Sequence, residues 1–178
     1  MSSRKLLTLV CLIAEDQALL GMKKRGFGVG KWNGFGGKVE PGETIFDGAM
    51  REIQEECGVT PTDMTLCGVL SFDYPDKSCR DLLVHVYRAS AFTGAIQESE
   101  EMRPQWFPID KIPYKEMWED DYLWWPLLLE NKNFTGTFTF KDTYTMVSHD
   151  VKHFEGSADD LEMYAKRQRQ VNGGDAIE

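Results

Sequence analysis

The stretch Arg51-Glu52-Ile53-Gln54-Glu55-Glu56-Cys57-Gly58-Val59 carries the pattern that decides the fold and the chemistry of this chain. Its carboxylates at positions 55 and 56 come three and four residues after the one at position 52, a spacing that places side chains on one face of a helix. Like charges at this spacing repel each other, so the arrangement is destabilising unless a cation neutralises it. Carboxylate oxygens are the ligands that Mg²⁺ and Mn²⁺ prefer, and Mg²⁺ commonly bridges protein carboxylates to substrate phosphates. The stretch therefore predicts a metal-dependent enzyme that acts on a phosphate compound.

The residues on either side define the helix that carries these acids. Thr44 and Asp47 have the spacing of a helix N-terminal cap, and Gly58 is suited to end the last turn. At about 100° per residue, one broad apolar arc is formed by Ile45, Phe46, Ala49, Met50, Ile53 and Cys57. The acids lie at the edge of this arc, and Arg51 lies on the remaining side. We predict a helix over residues 44–57 with its acids at the rim of the core; a solvated acidic face is the alternative.

The wider spacing resembles the Nudix family. The full Nudix box is matched without a departure by Gly37, a gap of five residues, Glu43, a gap of seven residues and then the stretch from Arg51 to Val59. The likeness covers roughly residues 4–150. Four further segments resemble the animal MutT-homologue branch of this family: residues 21–28, 31–39, 101–104 and 117–121.

The resemblance implies a Nudix fold of the α+β class, with a mixed β-sheet sandwiched between α-helices. The implied activity is hydrolysis of oxidised or otherwise damaged purine nucleoside triphosphates, of the 8-oxo-dGTP and 2-hydroxy-dATP type. The products would be the monophosphate and pyrophosphate, and the role would be cleaning of the nucleotide pool. The implied cofactor is Mg²⁺, with Mn²⁺ as an alternative. Two other functions stay open: a Nudix hydrolase of another nucleoside diphosphate derivative, and a non-catalytic nucleotide-binding Nudix module.

The resemblance also implies a metal site, formed by Gly36, Glu52, Glu55, Glu56 and Glu101. Gly36 would contribute a backbone carbonyl, whereas Glu101 alone would be read as an ordinary surface acid. A metal-activated water would attack a phosphorus atom. Glu56 is our choice of general base and Glu52 is the alternative, because sequence does not divide base from ligand among adjacent carboxylates. Glycines at positions 36 and 37 allow backbone to approach a ligand closely and to adopt positive φ.

Substrate recognition is assigned to a second set of residues: Lys23, Phe27, Asn33, Phe35, Gly36, Gly37, Lys38, Phe72, Trp118, Asp120 and Asp121. Lys23 is favoured by the resemblance as the phosphate-binding cation. The amide of Asn33 offers both a donor and an acceptor to a base, and Trp118 and Phe72 offer faces for purine stacking. Two close carboxylates rarely ionise independently, so the pair at 120 and 121 can present a donor and an acceptor. A tryptophan pair at 124 and 125 is interpreted as core.

Composition limits the remaining possibilities. The chain has 178 residues, of which 42% are hydrophobic, enough for one sizeable core. Its net charge of −9 argues against binding a nucleic-acid polymer, which needs clustered Lys and Arg. The sequence contains no apolar run long enough to predict a membrane-spanning segment. Four cysteines lack zinc-type spacing and are expected to stay reduced. We expect a monomer located in the cytoplasm, with mitochondrial and nuclear locations as alternatives.

The coarse organisation is that of a single mixed domain over residues 1–156, followed by a tail over residues 157–178. Strands are predicted at residues 6–14, 18–24, 66–74, 82–92 and 103–107, and a hairpin is predicted at residues 134–140 and 143–151. A second helix is predicted at residues 121–130, and residues 26–43 are expected to form a long structured loop. The tail is predicted to contain one short helix with a narrow apolar stripe, before disorder over residues 171–178.

Overall fold

A computed structural model of the chain describes residues 4–170, with side chains described through residue 169. The strands within this range are β1 (Lys5–Ala14), β2 (Gln17–Lys23), β3 (Trp32–Asn33), β4 (Thr60–Pro61), β5 (Thr65–Asp73), β6 (Leu82–Ala89), β7 (Phe92–Thr93), β8 (Met102–Pro108), β9 (Phe134–Lys141) and β10 (Thr145–His153). The α-helices are α1 (Ile45–Cys57), α2 (Asp121–Leu129) and α3 (Ala158–Gln170), and two 3₁₀ turns span Ile109–Lys111 and Tyr114–Glu116.

The strands form one large mixed sheet, as predicted. Its order is β10-β9-β5-β6-β1-β2-β3, and β8 also pairs with β2. β1 runs parallel to β6, and β5 runs parallel to β9, whereas the other pairs in this sheet are antiparallel. The short strands β4 and β7 form a separate antiparallel pair. Helices cover both faces of the large sheet, so the predicted α+β sandwich is confirmed.

Strand β1 shows why the fold needs helices on both faces. Alternate side chains of a strand point to opposite faces of its sheet. Leu9 and Cys11 of β1 belong to a core shared with α2, whereas Val10 and Leu12 belong to a core shared with α1 and α3. A strand that is buried on both faces reads as a continuous apolar run, and this explains the run at residues 6–14.

The predicted boundaries of α1 are confirmed. The side chain of Thr44 accepts a hydrogen bond from the Asp47 N–H at 3.0 Å, and Gly58 ends the helix with φ of 79°. The long loop before α1 contains a short strand, β3, that the sequence analysis did not predict. Isolated bridges then join Phe35 to Val10 and Lys38 to Leu7. The segment is therefore fixed to β1 and β2 rather than being a free loop.

Strand β6 ends earlier than predicted. The segment expected to continue to residue 92 stops at Ala89 because the carboxylate of Asp63 captures the next backbone N–H groups. Ser90 N–H donates to Asp63 at 2.9 Å and Ala91 N–H donates at 3.0 Å. The chain then turns into β7. No helix within residues 4–170 is both long and apolar enough to cross a membrane.

Helix α3 docks on the domain, against β5 and β6. Its side chains Leu161 and Ala165 are fully buried in the core that also contains α1. Arg169 Nη2 lies 2.9 Å from Nε2 of His85 on β6, and His85 is buried beneath α3. The narrow apolar stripe predicted for the tail is thus buried, because the sheet presents an apolar face to it. The predicted disorder over residues 171–178 lies outside the described residues.

Truncation of Leu161 is expected to lower the free energy of unfolding. Leu161→Ala should cost about 2–5 kcal/mol, because it leaves a cavity in a fully buried position. Met163 is on the same helix and is 53% exposed, so Met163→Ala is the matched control and should change stability by less than about 0.5 kcal/mol. Chemical denaturation measures both. Equal midpoints for the two variants would show that α3 is not part of the cooperative core.

Candidate active site

A cavity of about 500 Å³ crosses the sheet face that α2 covers and reaches α1. One part, here called the carboxylate end, is lined by Lys23, Gly36, Gly37, Lys38 and Glu56. The other part, here called the aromatic end, is lined by Phe27, Asn33, Phe72, Trp118, Asp120, Asp121 and Trp124. The fold therefore brings residues that are far apart in sequence into one continuous space.

Glu56 is the most buried acid of the α1 stretch. It is only 4% exposed, and its Oε2 accepts a hydrogen bond from the Gly36 N–H at 3.1 Å. The pKa of the Glu56 carboxyl is raised to about 8, chiefly by burial and to a smaller extent by the charges of Glu52 and Glu101, while Lys23 and the hydrogen bond from Gly36 oppose the shift. This carboxyl is a stronger proton acceptor than an exposed glutamate, because a higher pKa means a higher proton affinity.

Arg51, which was expected on the side of α1 that is neither apolar nor acidic, extends its side chain to the acids. Its Nη1 lies 3.1 Å from Glu52 Oε1 and 3.3 Å from Glu55 Oε2, and its Nη2 lies 2.7 Å from Glu43 Oε1. A long guanidinium side chain reaches sideways to these carboxylates, which the helical angle of its Cα does not reveal. Arg51 therefore supplies part of the neutralising charge that the acidic stripe requires.

The glycine pair before Lys38 acts through close contact rather than through positive φ. The expectation of positive φ is wrong, since neither Gly36 nor Gly37 is among the positive-φ glycines of the described residues. A Cβ at Gly36 would overlap the carbonyl oxygen of Thr8, and a Cβ at Gly37 would lie 2.5 Å from the Glu52 carboxylate carbon. Only residues without a side chain allow α1, this segment and β1 to pack this closely.

The backbone pattern leaves the Gly36 carbonyl pointing away from β1. Val10 N–H donates to the Phe35 carbonyl at 2.6 Å and Thr8 N–H donates to the Gly37 carbonyl at 2.9 Å. In an extended segment, the N–H and C=O groups of one residue point to the same side, and alternate residues point to opposite sides. The carbonyl of Gly36 thus faces the side on which its N–H meets Glu56.

The donor set at this end fits a divalent metal ion. Carboxylate and backbone carbonyl oxygens suit hard cations such as Mg²⁺, and burial raises the pKa of Glu52 as well as that of Glu56. Within residues 4–170, however, no three acidic, His or Cys side chains are already gathered as a metal site. Glu55 is 60% exposed in an ion pair with Arg51, and Glu101 Oε2 lies 3.1 Å from Lys23 Nζ.

At the aromatic end, two neighbouring carboxyls are both buried. Asp120 Oδ2 accepts a hydrogen bond from Trp124 Nε1 at 2.9 Å, and Asp121 Oδ2 accepts one from the Trp118 backbone N–H at 3.2 Å. Burial raises the pKa of each carboxyl, and the charge of Asp120 raises that of Asp121 further. Two buried carboxyls this close favour a state in which one keeps its proton. The pair then presents a donor and an acceptor to the cavity.

Aromatic rings and one amide surround this pair. The Phe27 and Trp118 rings stack with centroids 4.8 Å apart, and Phe72 stacks on Phe138 at 5.1 Å. The Asn33 Oδ1 atom accepts a hydrogen bond from the Gly34 N–H at 2.8 Å, which orients the side-chain amide. The combination offers flat apolar surfaces together with polar groups that can read the edge of a planar ring.

Most of the predicted site residues line this cavity, but Phe35, Glu52, Glu55 and Glu101 do not. The side chain of Phe35 is fully buried in the core shared with α1, so the expectation that it contacts a substrate is wrong. Its neighbours in the segment face the cavity, and alternation turns the ring at position 35 away. Glu52 lies beside Gly37 rather than in the cavity wall.

Several lining residues were not predicted from the sequence, and two of them contact predicted site residues. Trp124 was assigned to the core alone, yet it lines the cavity and holds Asp120; the spacing of four residues on one helix was the available signal. Lys31 also lines the cavity, and its Nζ lies 5.3 Å from the centroid of the Trp118 ring. Nothing in the sequence around Lys31 distinguishes it from a solvated lysine.

Comparison with known proteins agrees with this geometry. Residues 4–128 match the NUDIX domain family. Two relatives are called oxidized purine nucleoside triphosphate hydrolase. The Danio rerio protein is 49% identical over 156 residues, which cover 87% of this chain and 99% of the relative. The Mus musculus protein is 48% identical with the same coverage. A crystal structure of a MutT protein from Bacillus halodurans has a TM-score of 0.73 and 26% identity, covering 83% of this chain and 97% of that one. This chain therefore belongs to the Nudix family.

Proposed function

We propose that this protein hydrolyses damaged purine nucleoside triphosphates, of the 8-oxo-dGTP and 2-hydroxy-dATP type, to the monophosphate and pyrophosphate. The observation that supports this proposal most directly is that one cavity joins the carboxylate end to the buried pair Asp120 and Asp121. A nucleotide needs both: phosphate chemistry at one end and recognition of a base at the other. The names of the relatives from Danio rerio and Mus musculus support the same substrate class.

We assign the phosphate chemistry to residues of the carboxylate end. Glu52, Glu56 and the Gly36 carbonyl would hold Mg²⁺, with Mn²⁺ as an alternative, and Glu55 and Glu101 are the further carboxylates of the proposed set. A bound ion of this kind shields phosphate oxygens and lowers the pKa of bound water. Lys23 places a positive charge at the same end. Glu56 is the proposed general base, because its burial gives the carboxyl a high proton affinity.

The aromatic end is proposed to select the base. Trp118 and Phe72 provide stacking surfaces, and Phe27 provides an apolar wall. The amide of Asn33 and the two carboxyls of Asp120 and Asp121 provide hydrogen bonds to the base edge. Oxidation changes a purine by converting an acceptor to a donor or by adding a carbonyl, so groups of adaptable polarity suit damaged bases.

We infer that the substrate is a free nucleotide rather than a nucleic-acid polymer, because the chain carries a net charge of −9. The expected monomeric state and the cytoplasmic location, with mitochondrial and nuclear alternatives, stay predictions. So does the division of the chain at residue 156.

Replacing Glu56 by glutamine tests the chemistry. Glu56→Gln keeps the shape but removes the ionisable carboxyl that would accept the proton, and it should lower kcat for 8-oxo-dGTP by about 10²- to 10⁴-fold. The control is Glu130→Gln, which changes an exposed acid that pairs with Lys132 and should leave kcat unchanged. Pyrophosphate release is measured in the presence of Mg²⁺. Near-wild-type turnover by folded Glu56→Gln would remove Glu56 from the mechanism, and absent turnover in the wild type would favour a non-catalytic module.

Selectivity is tested by Asp120→Asn and Asp121→Asn. Each change fixes one group as an amide and should alter the ranking of kcat/KM among 8-oxo-dGTP, 2-hydroxy-dATP and dGTP. The loss of one buried partner should cost about 1–3 kcal/mol for the affected base. Equal efficiency of the wild type on dGTP and 8-oxo-dGTP would contradict the proposed substrate class. If the ranking is the same in both variants as in the wild type, the aspartates do not read the base.

The ranking should also depend on pH. The raised pKa of Asp121 means that its protonated form persists above the pH range in which a free aspartate ionises. The donor is therefore present at low pH and is lost as the pH rises through the raised pKa. The ratio of kcat/KM for 8-oxo-dGTP to that for 2-hydroxy-dATP is expected to change along this rise in the wild type. Any pH dependence left in Asp121→Asn belongs to Asp120, whose pKa burial raises to about 6, and the double variant Asp120→Asn/Asp121→Asn should give a flat ratio. A profile of Asp121→Asn that matches the wild type would refute the assignment.

A further inference from the structure

An exposed aromatic residue lies beside the cavity but does not line it. Tyr144 is in the turn between β9 and β10, and 62% of the residue is exposed. Its ring is nearly parallel to that of Trp118, with an interplanar angle of 8° and centroids 6.2 Å apart. Among the described residues, Phe27, Lys31 and Trp118 line the cavity and Tyr144 does not. Tyr144 therefore contacts the Trp118 ring from outside the cavity.

The turn that carries Tyr144 is fixed by its own hydrogen bonds. The Asp142 carboxylate accepts bonds from the N–H groups of Tyr144 at 2.9 Å and Thr145 at 3.1 Å. The N–H of Asp142 in turn donates to Asp76 Oδ2 at 2.8 Å. Asp76 lies in the loop between β5 and β6, so the two loops are joined. This link restrains the backbone from which the Tyr144 ring projects.

A second contact ties the hairpin to the segment of Trp118 itself. Met146 N–H donates to Glu119 Oε2 at 3.4 Å, and Glu119 is the residue after Trp118. Asp120 and Asp121 follow Glu119 in the chain, and the Trp118 N–H donates to Asp121. The orientation of Trp118 is therefore coupled both to the base-reading carboxyls and to the hairpin.

We propose that Tyr144 is a positioning residue for base recognition, which holds the Trp118 ring in the orientation that stacks on a purine. The inference rests on the proposed function, because it assumes that Trp118 stacks on the base. A parallel aromatic neighbour restricts rotation of the indole, and a ring that is already oriented loses less entropy when the base binds. Tyr144 would thus lower KM without entering the chemical step.

The test compares KM with kcat for 8-oxo-dGTP. Tyr144→Ala should raise KM by about 2- to 10-fold, the range expected for loss of one aromatic pair, and should leave kcat within about twofold. Tyr144→Phe keeps the ring and should restore the wild-type KM. Asp142→Ala keeps Tyr144 but releases the turn, and it should raise KM in the same direction. The control is Val147→Ala, which shortens another exposed side chain of the same hairpin and should leave both constants unchanged.

Two further measurements separate positioning from a general loss of structure. Inorganic pyrophosphate has no base, so its inhibition constant should be the same for Tyr144→Ala and the wild type. The double variant Trp118→Ala/Tyr144→Ala should show no higher KM than Trp118→Ala alone, because Tyr144 acts through Trp118. An additive increase, an unchanged KM in Tyr144→Ala, or weaker pyrophosphate inhibition in that variant would each overturn the proposal.

Binding of the monophosphate 8-oxo-dGMP gives a readout that needs no turnover. Its Kd, followed by tryptophan fluorescence, should rise by about 2- to 10-fold in Tyr144→Ala. If Trp118→Ala weakens binding but Tyr144→Ala does not, the positioning role fails and the proposed function stands. If the wild type binds no damaged purine nucleotide and shows no turnover, the proposed function fails, and the role of Tyr144 fails with it.

Discussion

The hydrogen bond from the Gly36 N–H to the buried carboxyl of Glu56 is the interaction on which the site depends. It joins the segment before Lys38 to α1, and it exists only because the glycines allow backbone and helix to approach this closely. Close packing around this contact buries Glu56, and burial raises the pKa of its carboxyl to about 8, although the hydrogen bond from Gly36 itself lowers that pKa. The close approach of backbone and helix therefore sets both the position of the acid and its affinity for a proton.

A similar principle operates at the other end of the cavity. Asp120 and Asp121 are placed by the start of α2 and are held by one indole N–H and one backbone N–H. Burial disfavours the ionised form of each carboxyl, so one of the two keeps its proton. The pair then offers both a hydrogen-bond donor and an acceptor, which suits altered bases. Both ends thus use desolvated carboxyls, although one end is suited to phosphate chemistry and the other to reading a ring edge.

The parts of the structure that the sequence predicted are those with local causes. The limits of α1 follow from a capping threonine and a terminal glycine, and the double burial of β1 follows from its apolar run. Other features depend on tertiary contacts. Three examples are the ion pairs of Arg51, the docking of α3 on β5 and β6, and the contact between Tyr144 and Trp118. Each joins groups whose contacts cannot be read from their local sequence. The family resemblance predicted which residues form the site, but it did not reveal that the Trp124 indole donates a hydrogen bond to Asp120.

The fully buried ring of Phe35 helps to fix the register in which its segment pairs with β1. Two bridges hold the segment in one register against β1, and a shift by one residue would move every side chain of the segment to the opposite face. Such a shift would bring the phenylalanine to the place of Gly36, where even a Cβ would overlap the Thr8 carbonyl, and would leave a hole in the core beneath α1. The packing of Phe35 beneath α1 therefore fixes the register of this segment, and the register fixes where Gly36 and Gly37 lie.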